Sequence, residues 1–137
     1  MAGMLQVITY LLAVYLVAAS PIICHAEIVA ASGPQKEVIQ TLANKDVAPI
    51  AFCAVKSAQH KQAYYVGMSF SVTGVATPQI GIWIISGTPE KPGMALAVDG
   101  FAQNFSRATP ADRTNPPTAY VTDSECAEIR RYLRGPK

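Results

Sequence analysis

The stretch VGMSFSVTGVATPQIGIWIISG, residues 66–87, decides the fold. It sits inside residues 62–89, a window without one charged side chain, so a membrane crossing has to be considered first. A lipid-spanning segment is a continuous apolar helix of about 20 residues. Here the pattern alternates instead: Val66, Met68, Phe70 and Val72 point one way, and Gly67, Ser69, Ser71 and Thr73 the other. A two-residue period specifies a strand with one face on a core. After the turn ATPQ, the run IGIWII puts Ile80, Ile82 and Ile84 on one face and Trp83 and Ile85 on the opposite one. A strand apolar on both sides is central, or has its second face covered by another element. The charge-free stretch therefore reads as a hairpin in the middle of a sheet, and not as a span.

Working outward, VAPIAFCAVK at residues 47–56 is rich in apolar, β-branched and aromatic side chains and ends at the polar turn SAQHKQ. On the other side, SGTPEKPG is dense in turn residues, after which Met94, Leu96 and Val98 alternate up to the Asp99-Gly100 turn. Four strands in a row most simply form an antiparallel meander. Upstream, Ser32 and Gly33 can cap a helix with Pro34 in its first turn, and Val38, Ile39 and Leu42 share one face at helical spacing. The spacing predicts a helix over residues 34–44. Residues 101–119 contain Pro110, Pro116 and Pro117 and hold no sustained period, which predicts a long surface loop with a short helical or extended piece around 101–105. The chain then reaches its strongest helix signal. Thr122 and Glu125 fit a T-x-x-E capping box, Asp123, Glu125 and Glu128 lie in the first turns, Arg130, Arg131 and Arg134 in the last, and Gly135 follows as a stop. Cys126, Ile129 and Leu133 fall on its inward face. The expected fold class is α+β: a small single domain with an N-terminal helix, a four-stranded antiparallel meander and a C-terminal helix, after a cleaved signal peptide.

The signal peptide is expected at residues 1–26, none of which carries a formal charge. MLQVITYLLAVYLV matches an apolar h-region, and AASPIICHA supplies small and turn-forming residues for cleavage after Ala26. The n-region MAGMLQ lacks Lys and Arg, so a retained single-span anchor is the alternative; a lipid-anchored Cys24 is a third reading, opposed by the bulky Ile23 before it. All three put residues 27–137, a single domain by length, outside the cytoplasm, in the periplasm, cell envelope or extracellular space. The membrane enters only if the N-terminal segment is retained. Two cysteines, Cys53 and Cys126, remain after cleavage, and in an oxidising compartment an even pair predicts a disulfide. Closing that loop would contribute roughly 4 kcal/mol.

A net charge of +2 offers no electrostatic case for nucleic acid. The pattern gives no catalytic set, no metal ligand set and no cofactor motif. His60, the one histidine after residue 26, lies in a polar turn, and the acids at the last helix are explained by its dipole. No glycine-rich phosphate loop and no G-x-S-x-G elbow is present. Two features can carry binding. The first is the face of Trp83 and Ile85, expected beside the small residues Gly67, Ser69, Ser71 and Thr73, where an indole over small side chains makes a groove or a homodimer contact. The second is the loop bearing Arg107 and Arg113. Asn104-Phe105-Ser106 also fits the N-glycosylation pattern, which matters only in a eukaryotic host. The leading expectation is an exported, non-enzymatic binding or accessory protein, inhibitor-type modules included, whose partner is a protein or envelope component. The alternative is a small exported hydrolase using carboxylates or His60.

Overall fold

The computed structural model describes residues 27–135. The expected signal peptide, residues 1–26, lies outside the described residues. The described residues fold into a small α+β domain with a six-stranded mixed sheet and three α-helices. In chain order these are β1 (Ile28–Val29), α1 (Gly33–Leu42), β2 (Val47–Lys56), β3 (Ala63–Val72), β4 (Gln79–Gly87), β5 (Pro92–Ala97), α2 (Gly100–Phe105), β6 (Thr109–Pro110) and α3 (Ser124–Leu133). The strands lie in sequence order across the sheet. β2 to β5 are the expected antiparallel meander. Two-residue strands extend it at both edges: β1 pairs antiparallel with β2, and β6 pairs parallel with β5.

Both faces of the sheet are covered, as the doubly apolar β4 requires. On one face Val66, Met68, Phe70, Trp83, Ile85 and Ala97 pack under Ile39 of α1 and Ala102 of α2. On the other, Cys53, Val55, Tyr65, Ile82 and Ile84 pack under Cys126 and Ile129 of α3. Gly67 makes the second contact possible, because a Cβ there would collide with Ile129 and reach Leu133 Cδ1 at 3.0 Å.

α1 starts as its sequence dictates. Ser32 Oγ accepts from the Gln35 amide (3.1 Å), and the Gln35 side chain accepts from the Ser32 amide (3.0 Å), a complete capping box with Pro34 in the first turn. The Ser32 hydroxyl also donates to the Pro89 carbonyl (2.6 Å), tying the helix to the β4–β5 turn. At α3 the expected Thr122–Glu125 box is not formed. Asp123 is the N-cap residue, and its carboxylate turns back to accept from the Tyr120 amide (2.9 Å) and the Tyr65 hydroxyl (2.6 Å). Glu125 is buried and accepts from the Ala58 amide (3.2 Å), so it fastens the helix to the turn after β2.

The expected Cys53–Cys126 disulfide is likewise corrected: both residues are buried free thiols on the same face of the sheet. The α3 side chains seated over Gly67, the cross-strand partner of Cys53, are Ile129 and Leu133, beyond Cys126 along the helix. The Cys126 thiol is engaged elsewhere, donating to the Tyr120 carbonyl at 3.7 Å.

Candidate functional site

The face carrying Trp83 and Ile85 is not a surface. Both side chains are closed off from solvent, Trp83 at 0% and Ile85 at 1% exposure. The β3–β4 register explains why: Trp83 lies opposite Val66, and Gly67 opposite Ile82, so the indole shares its face with the bulky stripe of β3 and not with Gly67 and Ser69. Its ring lies over Gly81, where a Cβ would stand 2.7 Å from Cη2 and 2.9 Å from Cζ3. The indole N–H donates to Ser106 Oγ (3.1 Å) just after α2. Residues expected as loop therefore form the lid of the core. That assignment also occupies the Asn104-Phe105-Ser106 triplet structurally, since Ser106 holds the indole and Phe105 packs edge-on against Phe70 at 5.5 Å.

The two arginines of the candidate surface are separated. Ala108 belongs to the Trp83 side of the sheet and Ala111 to the α3 side, so the chain passes the sheet edge at β6 between Arg107 and Arg113. Both are exposed. Arg113 lies in a single 3-10 turn, Ala111–Arg113. Arg107 is held: its amide donates to the Leu42 carbonyl (2.9 Å) and its guanidinium to the Thr41 carbonyl (2.7 Å), both in the last turn of α1.

Arg107 thereby stands at one end of a groove of about 590 Å³ between α1 and β5, the size of a small-ligand or peptide site. Val38, Leu42, Ala95 and Ala108 form its apolar wall, and Glu37 and Thr41 its polar rim. Met94 stands at the mouth, 70% exposed, the most exposed large apolar side chain among the described residues. Of its lining residues the sequence singled out only Arg107 for binding, because the wall comes from helix and strand segments distant in the chain.

A second cluster joins three elements. Asp99 caps α2 by accepting from the Ala102 amide (2.8 Å), and the same oxygen accepts from the Ile82 amide of β4 (3.3 Å). Its other oxygen lies 3.5 Å from Arg130 of α3 and has no hydrogen-bond partner among the described residues. The cleft beside it, about 390 Å³, is lined by Phe101, Asn104, Val121 and Arg130. Burial pushes the Asp99 carboxyl above its ordinary value of 3.8, the two backbone donors and Arg130 offsetting only part of the cost. A raised folded-state value means that the folded state resists ionisation. Stability is then full below about 3.8 and falls as pH rises through the folded value. Asp99→Asn keeps an acceptor for both amides and is expected to flatten that decline in urea titrations run at successive pH values. An unchanged pH profile in the variant would show that Asp99 ionises as easily folded as unfolded.

His60 is half-buried, with Nε2 2.8 Å from the Thr118 carbonyl, which makes Nε2 the donor. It borders a cleft of about 280 Å³ on the α3 side of the sheet, lined by Ile84, Ser86, Met94, Leu96 and Thr118. The thiols offer no nucleophile as they stand, for burial pushes Cys53 up to about 11 and Cys126 up to about 12. Among the described residues no group of three or more His, Cys, Asp and Glu is placed to hold a metal ion, and no helix is long and apolar enough to cross a membrane. Compared with family models, curated proteins and solved structures, the chain matches none.

Proposed function

We propose that this chain is an exported, non-enzymatic binding or accessory protein, and that it meets its partner, a protein or envelope component, in the α1/β5 groove. The observation that carries the reading is the groove itself: a preformed apolar trough with an exposed methionine at its mouth and an anchored arginine at one end. The polar groups that a hydrolase would need are committed to architecture. Asp99 caps α2 and braces β4, and His60 holds the 118 carbonyl. Export is supported by the charge-free apolar start and by β1, which enters the sheet at Ile28, next to the mature terminus that cleavage after Ala26 creates.

A photo-crosslinking residue placed at Val38 or Met94, in cells exporting the full-length chain, tests the site. The expected result is one discrete adduct from both positions and none from Arg113. Its absence from both positions would sink the groove as the recognition surface. Intact mass of the exported product is expected to show a chain beginning at Glu27.

A further inference from the structure

The edge of β5 is only half closed. β6 meets it at Leu96 and Ala97, so residues 92–95 have no strand on their outer side among the described residues. The Val98 amide donates to the Ile82 carbonyl (2.9 Å), and the Met94 amide donates to Ser86 Oγ (3.0 Å). Alternation along the antiparallel ladder then turns the backbone groups of Ala95 outward, before the β4–β5 register shifts between Ala95 and Pro92. An open edge of this kind is a template for another strand.

Two clefts flank it, one on each face of the sheet, and Met94 lines both. A strand added along the edge directs successive side chains to opposite faces, one to the α1 groove and the next to the cleft beside His60 and Leu96. Four residues of edge accept about 13 Å of extended chain at about 3.3 Å per residue.

The edge stops at Thr109, where β6 begins, so an incoming strand has to end there. At that end stand Thr41 and Leu42 of α1 and the Arg107 guanidinium, and the recess on the far side of Arg107 is lined by Lys45. Glu37 lies one turn back along the helix from Thr41. A strand running antiparallel to β5 would end in an ammonium group against these two cations. One running parallel ends in a carboxylate. We propose that the groove binds the free carboxy-terminus of an extended polypeptide, added parallel to β5 beside Ala95, with its terminal carboxylate on Arg107. The guanidinium is already oriented for such a contact, since the Thr41 carbonyl takes one N–H and fixes the fork, leaving donors for two carboxylate oxygens.

This rests on the groove being the recognition surface, and the test separates the two ideas. Protein recovered from expression of the full-length chain is immobilised and offered two randomised, N-acetylated heptapeptide libraries, one ending in free carboxylates and one in carboxamides. The acid library is expected to be retained at least tenfold better, with apolar residues enriched at alternate positions and an amide NMR shift at Ala95. Arg107→Gln, an exposed substitution whose fold is verified by its unfolding midpoint, is expected to erase the difference between libraries by lowering retention of the acid library. Equal retention of both libraries with shifts in the groove overturns the carboxylate assignment and keeps the groove. Retention of neither library, or a concentration-dependent dimer abolished by Met94→Arg, overturns the peptide proposal; the crosslinks from Val38 and Met94 then decide whether the groove serves another partner.

Discussion

Between pH 9 and 12 the protein is expected to lose most of its stability. Both thiols ordinarily ionise near 9.0, but burial pushes Cys53 up to about 11 and Cys126 up to about 12. The unfolded chain therefore releases these protons first. A raised folded-state value contributes stability that is complete below pH 9.0 and disappears as pH climbs through the folded values. By pH 12 that amounts to about 3 kcal/mol for Cys53 and about 4 kcal/mol for Cys126, at about 1.4 kcal/mol per pH unit of displacement. Tyr65 adds to the loss, since burial and the neighbouring Asp123 carboxylate also push its phenol upward. A domain of this size has roughly 5–15 kcal/mol in total. Urea midpoints measured at pH 7, 9 and 11 are expected to fall steeply over the last interval. The Cys53→Ala, Cys126→Ala double variant is expected to start lower, because two cavities open, and to fall much less. A wild-type midpoint that holds to pH 11, with a mass two hydrogens below the reduced chain, would show that the two sulfurs are bonded.

The alternation of β3 and the doubly apolar β4 made the centre of the sheet legible, and Ser32 with Pro34 located α1. Short edges were not legible. β1 and β6 are two residues each, too few for any period, and Pro110 in β6 argues against a strand unless it lies at an edge, where its missing N–H costs nothing. The same two residues explain why residues 101–119 read as loop: they are ordered by what they cover and not by a repeat of their own. Register was the other blind spot. The alternation showed that Trp83 and Ile82 face opposite ways, but which of them joins Val66 depends on the β3–β4 connection, and a slip of one residue exchanges the faces. The groove was invisible for a related reason. Its walls meet only after the meander carries β5 back beside α1, and of its residues only Arg107 stood out beforehand, as an arginine among prolines.

Trp83→Ala is expected to cost about 3–5 kcal/mol, the range for emptying a large aromatic site in a core that cannot collapse. The surroundings are rigid: the sheet backbone at Gly81 forms the floor, and α2 and Ser106 form the roof. Collapse is further prevented by Ser106, whose hydroxyl donates to the Ala102 carbonyl and so stays tied to α2. Removing the indole also leaves Ser106 Oγ, in a buried place, with only the longer hydrogen bond from the Ala108 amide (3.4 Å). Trp83→Phe separates these contributions, because it keeps most of the apolar volume and loses the N–H; about 1–2 kcal/mol is expected. Gly81→Ala should act from below, forcing the ring off its floor, and its cost should shrink in the Trp83→Ala background because the obstructing ring is gone. The chain has a single tryptophan, so its fluorescence reports the site directly: emission should be that of a dry indole in the native protein and shift to longer wavelength on unfolding, with the same midpoint as circular dichroism. Native emission at solvent-exposed wavelengths would mean that the lid formed by residues 100–108 stands open. Trp83 would then return as a binding surface, and the groove beside α1 would extend beneath that lid.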